Sequence, residues 1–428
     1  MTLVIILFFL FMLMGMPVAF AIGISAFVFF LQQPTLKLTM PVQIVLSQTQ
    51  SFVLLAIPLF IFAGNLLNET GITHRLMKLA SVLAGHLRAG LAQVNMVLAT
   101  MMGGITSSAI GDATMLGRVL GPGMIERGYS RGFSAGVIGT SALITTMIPP
   151  GIGLVLYGSI GEVSIGRLFA AGILPGLLMT LFLMTAVAIT ARVKGYKPER
   201  EKMAPPKEIV VTFFDCIWAF LFPIILIVGL RFGIFTPSEA GAFACVYAIV
   251  IGLLVYRELT WKKFVKTLEH TAMDIGMIML LIAMTGPFSY GLTWERIPQR
   301  IAEFVVGISD IPWVVMLVIV VFLLVAGMFM DSTVLILLLT SILIPVAKAL
   351  EIDLVHFGIV MVLTLTIGLL TPPVGVVMYI VCSIFETKIW TYLKESWLLL
   401  TAIVLVVVGV IFVPELALMI PDWIFGKG

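Results

Sequence analysis

The sequence predicts an all-α polytopic membrane protein, organised as an inverted repeat with two re-entrant hairpins and two Pro-Pro-broken helices. Three observations carry this: the composition, the placement of the basic residues, and the recurrence of Gly and Pro at a fixed offset. Of 428 residues, 61% are hydrophobic and 11% charged, less than half the charged share of an ordinary soluble domain. The apolar residues fall in runs that match spanning helices, and roughly ten to twelve crossings would use up the chain. No G-x-x-x-x-G-K-[ST] loop occurs, so the chain is expected not to hydrolyse ATP. Its net charge of +3 lies in loops flanking the apolar runs, which excludes nucleic acid as a partner.

Taken in order, the long apolar helices are expected at 2–31, 52–67, 169–191, 213–230, 240–255, 271–286 and 398–413. The first has no basic stretch before it, so the Ala19-Phe20-Ala21 triplet is expected not to be a leader-cleavage site. Gly15-Met16-Pro17 at its middle leaves two readings open, one long tilted helix or two short ones. Six Lys/Arg in 192–207 and four in 257–266 put both segments on the cytoplasmic side, with the loop at Arg231 outside. Residues 72–88 and 294–306 mix charged and apolar side chains at near-helical spacing. They read as helices lying at the membrane surface, with polar linkers as the alternative. Cys216, Cys245 and Cys382 sit far apart in apolar runs and read as small core residues.

The repeat is the most informative feature. A shift of 223 residues aligns, without a gap, Gly104 with Gly327, Pro122 with Pro345 and Pro149-Pro150 with Pro372-Pro373. Only eight of the 47 positions from Gly104 to Pro150 are identical, but three are prolines and one is glycine, the residues that break helices. The two surface segments recur at nearly the same offset. Given the two cytoplasmic anchors between them, the copies must run in opposite directions, as in many secondary transporters.

The breaks carry the chemistry. Residues 102–109 and 325–333 are small, hydroxyl-rich interruptions inside apolar segments, and each reads as the tip of a re-entrant hairpin at membrane depth. Freed carbonyls at a half-helix C-terminus, with Ser and Thr hydroxyls, offer neutral oxygens to a hard monovalent cation. Freed N–H groups at the next half-helix N-terminus favour an anion. The segments around Thr145-Thr146 with Pro149-Pro150, and Thr371 with Pro372-Pro373, would turn further carbonyls toward each tip. The alternative is that these prolines only kink packed helices while the threonines bond back to their own chain. Asp112 and Asp331 lie within these segments, where charge is costly enough to imply a role. Asp331 aligns with Ser108, so the two sites differ chemically, and Asp112 could supply the carboxylate missing from the first. Either acid could instead cap the following half-helix.

Other residues carry weaker signals. His74, His86, His270 and His356 lack a second ligand at i+4, which argues against a transition-metal site. Arg118 is expected to mark the cytoplasmic end of the first hairpin. Lys348, Glu351 and Asp353 form the polar turn that closes the second on the opposite side. Asn65 and Asn95 either hydrogen-bond across helices or are tolerated polar positions.

Gly-Gly-Ile-Thr-Ser-Ser-Ala-Ile-Gly-Asp at 103–112, Leu-Gly-Pro-Gly-Met at 120–124, Ile-Pro-Pro-Gly at 148–151, Asp331-Ser332 and Thr371-Pro372-Pro373 together resemble the large membrane subunit, DctM type, of tripartite ATP-independent periplasmic (TRAP) transporters. The resemblance runs from Gly15-Met16-Pro17 to the last span. It implies an elevator-type, sodium-coupled importer of organic acids in the bacterial inner membrane, with a small four-helix membrane subunit and a periplasmic substrate-binding protein as partners. The small subunit is expected to be a separate polypeptide, and no cofactor beyond Na+ as coupling ion is expected. The implied first ion site falls on Thr106, Ser108 and Asp112 with Thr145 and Pro149. The second falls on Gly327, Asp331 and Thr333 with Thr371 and Pro372. Substrate is expected at Ser107, Ser108, Thr146 and Ser332. Where the family often has serine at the first tip this chain has Thr106, which keeps the hydroxyl.

The resulting division is N-terminal scaffold helices 1–71, first transport repeat 72–167, central scaffold 168–293, second transport repeat 294–390, and a C-terminal span with its tail at 391–428. The expected substrate is a C4-dicarboxylate or a sugar acid such as sialic acid. The competing readings are a stand-alone sodium/dicarboxylate carrier without a binding protein, a membrane-embedded enzyme, and a channel. The enzyme reading lacks any H-E-x-x-H, G-x-S-x-G or paired intramembrane Asp motif. The channel reading fits paired broken helices less well than alternating access does.

Overall fold

The computed structural model describes residues 1–307 and 311–427, and among these there is helix and turn but no strand. The first apolar run is two helices, α1 (Thr2–Leu13) and α2 (Val18–Gln32). Gly15 between them takes φ +81°, a conformation that favours glycine, and Pro17 cannot continue the preceding helix. No apolar run announced α3 (Met40–Thr49). It joins α4 (Ala56–Glu69) through a 3-10 turn at a bend of 56°.

Next come α5 (Ile72–Ala84), α6 (Gly90–Met102), α7 (Ala109–Glu126), α8 (Arg131–Met147), α9 (Ile152–Gly161) and α10 (Ile165–Lys194). The run expected at 213–230 is also broken, into α11 (Pro206–Asp215) and α12 (Ile217–Arg231), bent by 57° at Cys216. Then follow α13 (Pro237–Val250), prolonged by a π-helical turn, and α14 (Trp261–Trp294), longer than its apolar run because the charged segment before it and the residues after it are helical too. The second series is α15 (Ile297–Val306), α16 (Pro312–Gly327), α17 (Ser332–Ala349), α18 (Leu354–Gly368) and α19 (Val376–Ile384). The chain closes with α20 (Ile389–Phe412) and α21 (Glu415–Phe425), so the expected tail is a helix. Residues 308–310, inside the expected second repeat, and residue 428 lie outside the described residues.

The order helix, hairpin arm, break, hairpin arm, half-helix, Pro-Pro, half-helix therefore occurs twice, in α5–α9 and α15–α19. Arms α6 and α16 have 13 and 16 residues, about 20 to 24 Å at 1.5 Å per residue, which falls short of a hydrocarbon core about 30 Å thick. Among the described residues, five helices are long and apolar enough to cross a membrane, or up to eight if each bent pair counts as one span. The arms α6 and α16 and the half-helices α9 and α19 are apolar but shorter than these, whereas the arm α17 is itself one of the five.

Packing divides the helices into two groups. Helices α1–α4, α13 and α14 pack chiefly on one another, and α6–α10 with α16–α21 form a second group that packs chiefly within itself. Between the groups, α5 packs on α6 and α4, α15 packs on α17 and α14, and α4 and α14 also touch α9 and α17 directly. Helix α5 buries Ile72, Leu76, Leu79 and Ala80 at helical spacing. Its apolar stripe therefore faces protein.

Helix α20 packs on the first halves of both broken helices, α8 and α18. Near its start, the Glu395 carboxylate accepts hydrogen bonds from the Ser130 hydroxyl at 2.6 Å and the Phe133 N–H at 2.8 Å. It thereby satisfies one free N-terminal donor of α8, and Lys194 at the end of α10 stands 3.3 Å away. Near the other end of α20, His356 Nε2 lies 2.7 Å from the Val410 carbonyl and holds the start of α18. The two broken helices thus enter beside opposite ends of α20. Helices α10 and α20 pack against α8 and against each other, a placement the division by sequence did not anticipate. Arg167 ties α21 back to α10 through Asp422 at 2.7 Å and the Gly426 carbonyl at 2.6 Å.

A close backbone approach joins α16 to α18, where a Cβ on Gly368 would stand 2.4 Å from the Gly327 carbonyl carbon. Gly368→Val must push the two helices apart, at a cost on the order of 1–3 kcal/mol. It should lower the melting temperature of the detergent-solubilised protein. Gly276→Ala, at a position with nothing within 4 Å, should leave it unchanged. Equal melting temperatures for Gly368→Val and wild type would contradict the close approach.

Candidate functional site: two hairpin tips and two Pro-Pro breaks

The first tip begins where α6 ends. The Met102 carbonyl, at the helix terminus, accepts the N–H groups of Ile105 at 2.8 Å and Thr106 at 2.9 Å. The Thr106 hydroxyl lies 3.2 Å from the same carbonyl and 2.8 Å from the Asp112 carboxylate, to which it donates across the break. Ser108 caps α7, its hydroxyl oxygen accepting the Gly111 N–H at 3.1 Å. Asp112, one turn on, is buried, and no cation pairs with it among the described residues.

The tip meets the first Pro-Pro break directly. Helix α8 stops at Met147, the Pro149-Pro150 peptide bond is cis, and α9 leaves at a bend of 43°. The Ser107 hydroxyl donates to the Pro150 carbonyl. Thr145 and Thr146 donate to the carbonyls of Ala142 and Leu143, each at 2.8 Å, so they bond back to their own helix. Such a hydroxyl spends its proton but keeps oxygen lone pairs, so back-bonding leaves it able to accept a donor or a cation. The Thr145 side chain is also a neighbour of the Asp112 carboxylate. Structure thus brings Thr106, Asp112 and Thr145 together, with Ser107 bridging to the break. Ser108 is exposed, on the outer edge of the tip.

The second tip repeats the plan with other atoms. The Met328 carbonyl, just past α16, accepts the N–H groups of Val374 at 3.2 Å and Gly375 at 3.0 Å, which follow the cis Pro372-Pro373 bond. Gly375 has φ +41°, a left-handed turn that starts α19. Asp331 caps α17, accepting the Thr333 N–H at 2.8 Å. It therefore occupies the same place as Ser108, the cap of the other hairpin. Asp331 does cap its half-helix and Asp112 does not. The Thr371 hydroxyl donates to the Gly368 carbonyl at 3.0 Å. Pro372 is exposed and Asp331 half-buried, whereas Pro149 and Asp112 are buried. Ser332 and Thr333 open α17, and Gly327 closes α16.

The hairpins are also exchanged between the halves. Helix α7 packs on α19, with Gly117 and Gly121 facing Ile384 and Phe385, and α17 packs on α9, with Gly153 and Gly161 facing Ile336 and Ile344. Each hairpin thus touches the second half of the other copy's broken helix.

Two acids escaped the sequence reading. Glu395 caps α8 from 262 residues away. Asp274, in the apolar part of α14, lies 3.4 Å from the Asn65 amide, which also reaches Thr271 at 3.0 Å. An acid inside an apolar run was a visible signal for Asp274, and none existed for Glu395. Asn95 donates to Ser141 at 2.6 Å, so both asparagines bond across helices.

Removing the Thr106 hydroxyl leaves the buried Asp112 carboxylate without that donor, a loss on the order of 1–3 kcal/mol. Thr106→Val should lower the unfolding temperature in detergent and Thr106→Ser should restore it. Identical unfolding of wild type and Thr106→Val would show that the bond does not hold the tip.

With this geometry in view, a family model described as "Tripartite ATP-independent periplasmic transporter, DctM component" matches residues 5–416. The sialic acid TRAP transporter large permease protein SiaM of Vibrio cholerae is 34% identical over 416 residues, covering 97% of this chain and 96% of that protein. The C4-dicarboxylate TRAP transporter large permease protein DctM of Pseudomonas aeruginosa is 34% identical over 378 residues, covering 88% of each. Among solved structures, the YdaH transporter of Alcanivorax borkumensis superposes with a TM-score of 0.61 at 14% identity, covering 90% of this chain and 89% of that one. This likeness bears on the fold alone. A family model spanning nearly the whole chain, and relatives matched almost end to end, make this chain a member of the DctM family of TRAP transporter large permease proteins, a membrane transport component and not an enzyme.

Proposed function

We propose that this chain is the transport subunit of a sodium-coupled importer of an organic acid, a C4-dicarboxylate or a sugar acid such as sialic acid. The observation that carries the reading is Asp112. Its carboxylate is buried in a break between apolar helices, accepts a hydroxyl hydrogen bond, and has no cationic side chain paired with it among the described residues. A carboxylate so placed calls for a counter-charge. The hydroxyl oxygens of Thr106 and Thr145 beside it, with carbonyls at the end of α6, are the hard neutral ligands that suit Na+. A second ion would use Asp331, Thr333 and the carbonyls near Gly327, Thr371 and Pro372. Substrate carboxylates would meet the half-helix N-termini at Ser107, Ser108 and Ser332, with Thr146 close by.

The two packing groups, joined through α5 and α15, support an elevator motion of the hairpin-bearing group against the other. The entry of α8 and α18 beside opposite ends of α20 supports the inverted orientation of the copies. The basic segments 192–207 and 257–266 argue for a multi-pass protein of the bacterial inner membrane with those segments in the cytoplasm. In this reading a periplasmic substrate-binding protein and a small four-helix membrane subunit complete the system. Relatives whose names carry sialic acid and C4-dicarboxylate are equally similar, each 34% identical. Overall identity therefore supports the acid class and does not select within it.

The test is uptake in proteoliposomes that hold this chain with its partner subunits. Asp331→Ala and Ser108→Ala should abolish sodium-dependent uptake while membrane insertion is unchanged. Full transport by both variants would sink the site assignment, and uptake by this chain alone would favour a stand-alone carrier.

A further inference from the structure

A cavity of about 380 Å³ opens between α5, the first hairpin and the link from α10 to α11, away from the tips and breaks. Its floor is apolar, formed by Leu91, Val94 and Leu120, and Val119 extends that surface outward in an exposed position on α7. Its rim is basic, formed by His74, Lys78, Arg127 and Arg200, with Ser81 between them. Two acids answer part of this charge. Glu199 lies 3.7 Å from Arg127 and Glu208 lies 2.9 Å from Arg200. Lys78 has no carboxylate within ion-pair distance among the described residues, and the Arg127–Glu199 contact is long and half exposed.

The crevice is held open by its own backbone. The Gly85 carbonyl, at the end of α5, accepts the N–H groups of both Glu199 at 2.8 Å and Arg200 at 3.0 Å. This fixes the link across the mouth and keeps the rim cations above the apolar floor. A free phosphate would use the rim and leave the floor wet. A phospholipid would use both, since its phosphate suits the cations and its acyl chain suits an apolar wall that continues onto the exposed Val119 of α7.

We propose that this crevice binds one anionic phospholipid. Its headgroup phosphate lies between Lys78 and Arg127, and an acyl chain runs over Leu91, Leu120 and Val119. The occupant wedges α5 against the first hairpin at the boundary between the two packing groups. The choice of an anionic lipid rests on the orientation proposed above, which puts this face in the leaflet richer in such lipids. Binding is measured in detergent whether or not transport is sodium-coupled, so the two readings can fail separately.

The experiment is native mass spectrometry of the purified full chain in detergent. It is titrated with phosphatidylglycerol or with phosphatidylcholine of the same chains, and inorganic phosphate is tested by thermal shift. Phosphatidylglycerol should be retained at about tenfold lower concentration than phosphatidylcholine. A double variant, Lys78→Gln with Arg127→Gln, should erase that preference. Gly123→Phe, which fills the floor and keeps every charge, should reduce retention of both lipids, so the proposal stays testable if the double variant does not fold. Equal retention of the two lipids by wild type, unchanged binding in Gly123→Phe, or stabilisation by inorganic phosphate that matches phosphatidylglycerol would overturn it.

Discussion

A peptide group released from a helix within a membrane has no water to turn to, and this requirement governs the architecture around the breaks. Four interruptions, two hairpin tips and two Pro-Pro pairs, release carbonyls and N–H groups, each costing several kcal/mol if left unpaired in hydrocarbon. The protein answers by setting each tip against a break. In the first half a serine hydroxyl reaches the Pro150 carbonyl, and in the second two N–H groups reach the Met328 carbonyl. Ser108 and Asp331 satisfy the half-helices that follow. Displacing either tip alone would expose these groups, so each tip is tied to the break it faces.

The halves share a plan but not a chemistry. In the first, the carboxylate lies one turn inside the half-helix, buried and bonded to Thr106. In the second, the carboxylate is itself the cap and is half exposed. A carboxylate that accepts a backbone N–H already has part of its charge answered, whereas Asp112 has a hydroxyl and a neighbouring threonine. The two copies therefore offer unlike electrostatic environments on matched backbones.

Few charges remain for other purposes, and several bolt helix ends together. Glu395 joins the starts of α8 and α20 to the end of α10, and Arg167 fastens α21 to α10. On the far side of α5, Arg75 pairs with Glu258 at 2.7 Å and lies over the Tyr256 ring. Each of these bolts sits at a helix end, where a charged head can stay near polar surroundings while its stem packs on apolar surface. Asp274 is the exception, an acid within α14 that accepts from the Asn65 amide at 3.4 Å.

Local backbone chemistry made the helix breaks legible. Proline lacks a donor, so Pro149-Pro150 and Pro372-Pro373 announced their breaks without any partner, whereas Gly15-Met16-Pro17 left one helix or two open and the repeat prolines Pro122 and Pro345 lie inside the unbroken α7 and α17. The recurrence at 223 residues, the hydroxyl-rich tips and the candidate acids were readable for the same reason. What the chain order could not contain is who answers whom. Whether an acid caps a helix or reaches across a break depends on the path of the backbone, which assigned the cap to Asp331 and the reach to Asp112. The Glu395 contact with α8 and the Arg167 contact with Asp422 join residues 262 and 255 positions apart. The grouping of α10 and α20 with the broken helices has the same origin. Apolar helices look alike in sequence, and only the shapes of their packed faces decide which of them lie together.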